Sequence, residues 1–126
     1  MANQPLKGVP RLKAALGNSI QGFRDIWRSE EAFRLECIAL ILSLPLAFLV
    51  TDGVFQAAIL IASLLFLLII EVLNSAIEAV VDRIGAERHE LSRMAKDYGS
   101  LAVFLAMALA GLLWAAALFG AFFGTV

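Results

Sequence analysis

Most of the chemistry available to this chain sits in one stretch, Glu71-Val72-Leu73-Asn74-Ser75-Ala76-Ile77-Glu78-Ala79-Val80-Val81-Asp82. Wound as a helix, Glu71, Asn74, Ser75, Glu78 and Asp82 fall three or four residues apart and share one face. Val72, Leu73, Ile77, Val80 and Val81 take the opposite face, which suits lipid or helix packing. Hydrogen bonds between helices, worth ~1 kcal/mol apiece in a membrane, would explain Asn74 alone. They do not explain two glutamates on the same face. An ionisable side chain near the bilayer centre costs ~3 kcal/mol or more, so its presence marks a functional site. Carboxylates beside an asparagine suit a hard divalent cation such as Mg²⁺, which takes oxygen ligands and bridges to substrate phosphates. A partly desolvated glutamate also suits a general base. Glu71 is the deepest of the three acids, then Glu78, then Asp82, so they form a ladder from the membrane interior towards water.

Two further groups could join this chemistry. Glu30 and Glu36 flank Phe33 and Arg34, although Glu30 and Glu31 fit a solvated helix end equally well. The segment 83–97 is short and dense in charge, and it ends in Lys96 and Asp97. A lysine there serves as a point-charge phosphate binder or as a snorkelling anchor, and the residue alone favours the anchor. His89 is the only histidine, and a lone loop histidine carries no assignment by itself. The sequence has no P-loop and no Rossmann glycine fingerprint. A nucleotide, if handled, is not handled by a familiar soluble fold.

These residues need elements to hold them, and composition says which. The 126 residues are 61% hydrophobic and 17% charged, with a mean hydropathy of +0.87. Soluble domains run at ~45–50% apolar and ~25% charged, so the chain reads as one integral membrane domain over 1–126. A net charge of -1 argues against a nucleic-acid partner, and the single cysteine excludes an internal disulfide. Residues 37–51, 53–70 and 98–126 carry no charge. Extended to the ~20 residues that a ~30 Å hydrocarbon core requires, these runs predict spans at about 33–50, 54–81 and 98–123. Pro45 is placed to kink the first span, and Thr51-Asp52-Gly53 reads as a tight turn into the second. Lys and Arg gather before the first span and in 83–97, and are missing from 51–53 and the C-terminal tail. That bias places the N-terminus and 83–97 in the cytoplasm. No short apolar run follows the first basic residues, so a signal peptide is not expected. Leu12, Leu16, Ile20, Phe23 and Trp27 form an apolar stripe within about 6–28, with basic residues on the other faces. That pattern predicts an amphipathic helix lying on the membrane surface. The expected fold is all-α: a surface helix followed by three transmembrane helices.

The run from Glu71 to Asp82 resembles the signature of the prokaryotic diacylglycerol kinase family. The resemblance extends to Trp27, Glu30, Ala32-Phe33-Arg34 and Glu36, then to Glu87, His89-Glu90-Leu91-Ser92, Ala95-Lys96-Asp97 and Gly99-Ser100. It implies an inner-membrane lipid kinase that moves the γ-phosphate of MgATP to the free hydroxyl of diacylglycerol, giving phosphatidic acid. It also implies a homotrimer whose active sites are shared between subunits. Carried over residue by residue, it makes Glu71 the catalytic base and Glu30 and Glu78 the Mg²⁺ ligands. Asn74 would position the base and the reacting hydroxyl. Arg11, Asn18, Glu87, Arg88, His89, Lys96 and Asp97 match nucleotide-side positions, joined by the two metal ligands. Arg11, Ser19, Arg24, Trp27, Phe33, Glu36, Ser100 and Trp114 match positions that meet the lipid, together with Glu71. A sister branch phosphorylates undecaprenol with the same motif, and the long amphipathic N-terminal segment favours diacylglycerol. A non-enzymatic small membrane subunit, with the ladder as a cation path, is disfavoured because nothing ionisable continues the ladder to Asp52.

Overall fold

A computed structural model describes residues 4–124, so residues 1–3 and 125–126 of the expected 1–126 domain lie outside the described residues. The described residues form four helices and no strand: α1 (Val9–Ser29), α2 (Glu31–Val50), α3 (Val54–Ile84) and α4 (Glu90–Phe123). The chain divides into two compact units, residues 1–31 and 32–126.

The first unit is α1. It starts after Gly8, whose φ of 67° is the left-handed region that glycine tolerates, and Pro10 fits the first turn because that turn needs no amide donor. The start is therefore three residues later than the expected boundary near 6. Leu12, Leu16, Ile20, Phe23 and Trp27 are all exposed, as a stripe meant for a membrane surface would be. Phe23 and Trp27, one turn apart, stack with ring centroids 5.8 Å apart. The helix ends where Glu30 turns extended while its N–H still reaches the Ile26 carbonyl at 2.9 Å.

In the second unit, α2, α3 and α4 are each long and apolar enough to cross a membrane. α2 runs unbroken through Pro45. Across the 51–53 turn, Ala47 and Ala57 are wholly buried against each other's helices with Leu60, and Val50, Ile61, Leu113 and Trp114 pack around them. α3 and α4 are antiparallel neighbours. Leu60 meets Trp114, Asn74 meets Gly99, and Asp82 meets Lys96, so partners descend on α4 as they ascend on α3. On α4 the residues turned inward include Gly99, Ala106 and Ala110, small side chains that let two backbones approach.

Length explains how polar chemistry stays attached to this apolar pair. At 1.5 Å per residue, the 31 residues of α3 and the 34 of α4 span roughly 46 and 51 Å, beyond the ~30 Å that lipid covers. The surplus is carried at the end that holds Glu71–Ile84 and Glu90–Asp97. The segment expected as a loop over 83–97 is accordingly mostly helix, and only 85–89 is irregular. The local reason is a cap: His89 Nδ1 accepts from the Leu91 N–H at 3.1 Å and starts α4 eight residues before its charge-free run.

Candidate active site at the polar end of the α3–α4 pair

Among the buried and half-buried positions on α3, one seam runs the length of the helix: Ala57, Leu60, Leu64, Leu67, Glu71, Asn74, Glu78 and Val81, at alternating steps of three and four, with Ser63 and Leu68 buried beside it. That is the knob register of a helix lying along a partner. The seam begins apolar and turns polar at Glu71 without leaving the packed face. Glu71 is 6% exposed, the one buried acid among the described residues. The seam also corrects the face expected for Val81. It is buried on the same seam as the polar residues instead of on the opposite face, because it closes the seam one turn beyond Glu78. Val72, Leu73, Ile77 and Val80 are exposed on the outer face as expected.

Within the seam, Asn74 Nδ2 donates to Glu78 Oε1 at 3.4 Å. A carboxylate only accepts, so the amide must present its nitrogen to Glu78 and leave its oxygen on the far side. That oxygen, Asn74 Oδ1, is buried with no hydrogen-bond partner, as are Ser75 Oγ and Glu36 Oε2. Four other hydroxyls are satisfied by the backbone, unlike that of Ser75. Ser19, Ser43, Thr51 and Ser63 each donate to a carbonyl three or four residues back, at 2.6–2.9 Å. Buried acceptors without donors cost free energy unless a ligand supplies the missing partner.

One turn further out the site becomes ionic. Lys96 Nζ of α4 pairs with Asp82 Oδ1 of α3 at 2.7 Å, and Glu78 lies within its Coulombic reach. The hydrogen bond that Lys96 donates to Asp82 raises the Lys96 pKa above the ordinary lysine value, so the ammonium is held charged. Arg93 pairs with Glu90 one turn back and with Asp97 one turn on, the latter at 2.6 Å. Asp82, Glu87, Arg88, His89, Arg93 and Lys96 line an open cleft of about 650 Å³ where α3 hands over to α4. The nucleotide-side residues expected between 87 and 97 are thus gathered here, with Asp97 tied to Arg93. The i,i+3 and i,i+4 acids around Arg93 were a readable signal that the sequence reading left unused. The Asp82–Lys96 pair, formed across two helices, had no local signal.

The remaining expected site residues fall into separate groups. Arg11, Asn18, Ser19, Arg24 and Trp27 are exposed on α1, where Arg24 and Trp27 with Phe23 and Arg28 shape a shallow hollow of about 330 Å³. Glu30 stands at the break after α1, in the first unit. Phe33 is buried near the start of α2, and Ser100 is exposed beside Gly99. Trp114 sits about 22 Å along α4 from Gly99, by helix rise, and its Nε1 donates to the Leu60 carbonyl at 3.2 Å. It faces an apolar groove of about 450 Å³ shared with Leu42, Leu46, Leu67 and Met107.

The donors around the seam are carboxylate, amide and hydroxyl oxygens, a hard set that fits Mg²⁺ and not a soft metal. Among the described residues no three His, Cys, Asp or Glu side chains are gathered as a ligand group. Mg²⁺ suits such a sparse set, since it is commonly held by one or two carboxylates with substrate phosphates and water completing the shell.

Comparison with known proteins supplies the last observation. The family model described as "Prokaryotic diacylglycerol kinase" matches residues 17–118. The chain is similar to the diacylglycerol kinase of Haemophilus influenzae, at 42% identity over 112 residues, covering 89% of this chain and 95% of the relative. It is 46% identical to that of Escherichia coli K12 over 114 residues, covering 90% and 93%. It is 44% identical to that of Pseudomonas aeruginosa over 123 residues, covering 95% and 100%.

Proposed function

Given that this chain belongs to the prokaryotic diacylglycerol kinase family and is a lipid kinase acting on diacylglycerol, we propose that the α3–α4 seam carries the phosphoryl transfer. The donor in this reading is ATP, bound in the charged cleft at the cytoplasmic end. Glu71 takes the proton from the free hydroxyl of the lipid. The lipid oxygen bonds to the γ-phosphorus as the bond from that phosphorus to the bridging oxygen breaks, so phosphatidic acid and ADP leave. Glu78 and Glu30 would hold Mg²⁺, which when bound neutralises phosphate charge. Asn74 fixes the Glu78 carboxylate through its amide nitrogen and helps to position the base and the reacting hydroxyl. Lys96 gives a point charge to the phosphates, with Asp97, Glu87, Arg88, His89, Arg11 and Asn18 around the nucleotide. Ser19, Arg24, Trp27, Phe33, Glu36, Ser100 and Trp114 lie along the lipid's approach.

The observation that carries this reading is the passage of a single packed seam from apolar residues to a buried Glu71 and then to a charged cleft. A lipid hydroxyl reaches a site only at interfacial depth, and a nucleotide only from water. One helix face serves both, because it crosses from one medium to the other. In this reading residues 1–126 act as one kinase domain in the bacterial inner membrane. The N-terminus and 83–97 face the cytoplasm, as their basic residues favour. Three copies share composite sites, for which the exposed apolar faces of α2, α3 and α4 leave room beside lipid.

The test is phosphorylation of a short-chain diacylglycerol in mixed micelles by the purified full chain, with labelled ATP and a Mg²⁺ titration, beside Glu78→Gln. Labelled phosphatidic acid from the wild type, with a markedly higher Mg²⁺ requirement in the variant, is the expected result. A variant with an unchanged Mg²⁺ requirement overturns the ligand role of Glu78. A wild type that ignores diacylglycerol and labels undecaprenol overturns the substrate.

A further inference from the structure

Gly99 faces Asn74 across the α3–α4 contact at a distance where any added side chain would force the Asn74 amide to move. A Cβ built at Gly99 would stand 2.0 Å from Asn74 Oδ1 and 3.1 Å from Asn74 Cγ. The glycine is buried in the interior of α4 and has no positive φ to explain it. Helix propensity opposes a glycine there. What it provides is the space into which the Asn74 carbonyl oxygen is pressed.

We infer that Gly99 is a positioning residue for the kinase site, holding the Asn74 amide in the one orientation that donates to Glu78. The inference rests on the reading of Asn74 and Glu78 given above. The geometry leaves an added methyl no harmless outcome. Turning the amide by 180° puts Nδ2 into the same clash and the oxygen against the Glu78 carboxylate. Turning it by about 90° swings Nδ2 out of line with Glu78 Oε1, a bond that at 3.4 Å is already near its limit. Changing the first side-chain torsion lifts the whole amide off the seam. Each of these side-chain movements weakens or breaks the bond to Glu78.

The test is a two-residue cycle in the full chain: Gly99→Ala, Asn74→Ala and the double variant, with Gly111→Ala as a control. Gly111 lies on the same helix and has nothing within 4 Å of an added Cβ. Three quantities are read in micelles: kcat, the Mg²⁺ concentration for half-maximal activity, and the thermal unfolding midpoint. A misplacement of about 1 Å costs on the order of 10²-fold in rate, so Gly99→Ala is expected to lower kcat by about 10- to 100-fold and to raise the Mg²⁺ requirement several-fold. In the Asn74→Ala background the same change is expected to alter neither. The midpoint adds a readout independent of activity. Gly99→Ala should raise it in the Asn74→Ala background, as Gly111→Ala does in the wild type, and fail to raise it when Asn74 is present. Wild-type kinetics in Gly99→Ala overturn the inference, as does an equal loss in both backgrounds. An Asn74→Ala variant with full activity overturns instead the role of Asn74, while the midpoint cycle still decides whether the two residues collide. If Asn74→Ala is too weak to assay, the midpoint cycle together with the Mg²⁺ requirement of Gly99→Ala decides it.

Discussion

Replacing Glu71 by glutamine separates catalysis from stability at one atom pair. Gln keeps the shape and one acceptor oxygen, and it loses the negative charge and the ability to take a proton. A general base contributes about 10²- to 10⁴-fold, which is about 2.7–5.4 kcal/mol of barrier. At 6% exposure, Glu71 is sealed from bulk water that could act in its place, so the upper part of that range applies and kcat should fall about 10³- to 10⁴-fold. Stability should move the other way or not at all. The Glu71 carboxylate is buried, so an uncharged amide removes a desolvation cost. Glu71→Asp makes a graded comparison, because it keeps the base and withdraws it by about one bond, ~1.5 Å. A loss on the order of 10²-fold is expected there. The assay pairs labelled-ATP turnover with thermal unfolding in the same micelles. A Glu71→Gln enzyme within tenfold of wild-type kcat would refute the base. A fall of several degrees in its midpoint would refute the claim that the buried charge is borne for function.

The other expectations concern the packing and the charged cleft. Ala106→Leu forces three heavy atoms into a position 3% exposed on the α4 seam and should cost about 1–3 kcal/mol. Leu112→Ala on the exposed face should stay within about 0.5 kcal/mol, so equal losses in the two would contradict the register of the helix pair. Trp114→Phe drops the donor to the Leu60 carbonyl and trims the ring, so a loss of about 1 kcal/mol or more is expected in denaturant unfolding; no change would show that bond to be idle. Lys96→Met should raise the KM for ATP about tenfold or more while the unfolding midpoint barely moves, since an exposed pair such as Lys96–Asp82 contributes little to stability. A large fall in midpoint with an unchanged KM would make Lys96 a strut between helices instead of a phosphate contact.

Helix number, the membrane class of the spans and the polar face from Glu71 to Asp82 were all determined by the sequence alone. Each follows from an interaction a single helix makes with itself or with its solvent: the 3.6-residue period brings i, i+3 and i+4 together, and lipid excludes charge over ~30 Å. The tertiary structure decided what depends on register between helices. Sequence patterning grouped Val81 with the apolar face opposite the acids, and packing shows that the seam runs on to it. Segment 83–97 looked like a loop by its charge, yet α4 begins at Glu90, because a His89 cap lets helix continue where no core requires it. Asp82 finds Lys96 and Asn74 finds Gly99 at sequence separations of 14 and 25, set by how closely the two backbones approach. That approach is fixed by Gly99, Ala106 and Ala110 acting together. Small side chains state in sequence that two helices can come close; which residues then meet is settled only when the helices pack.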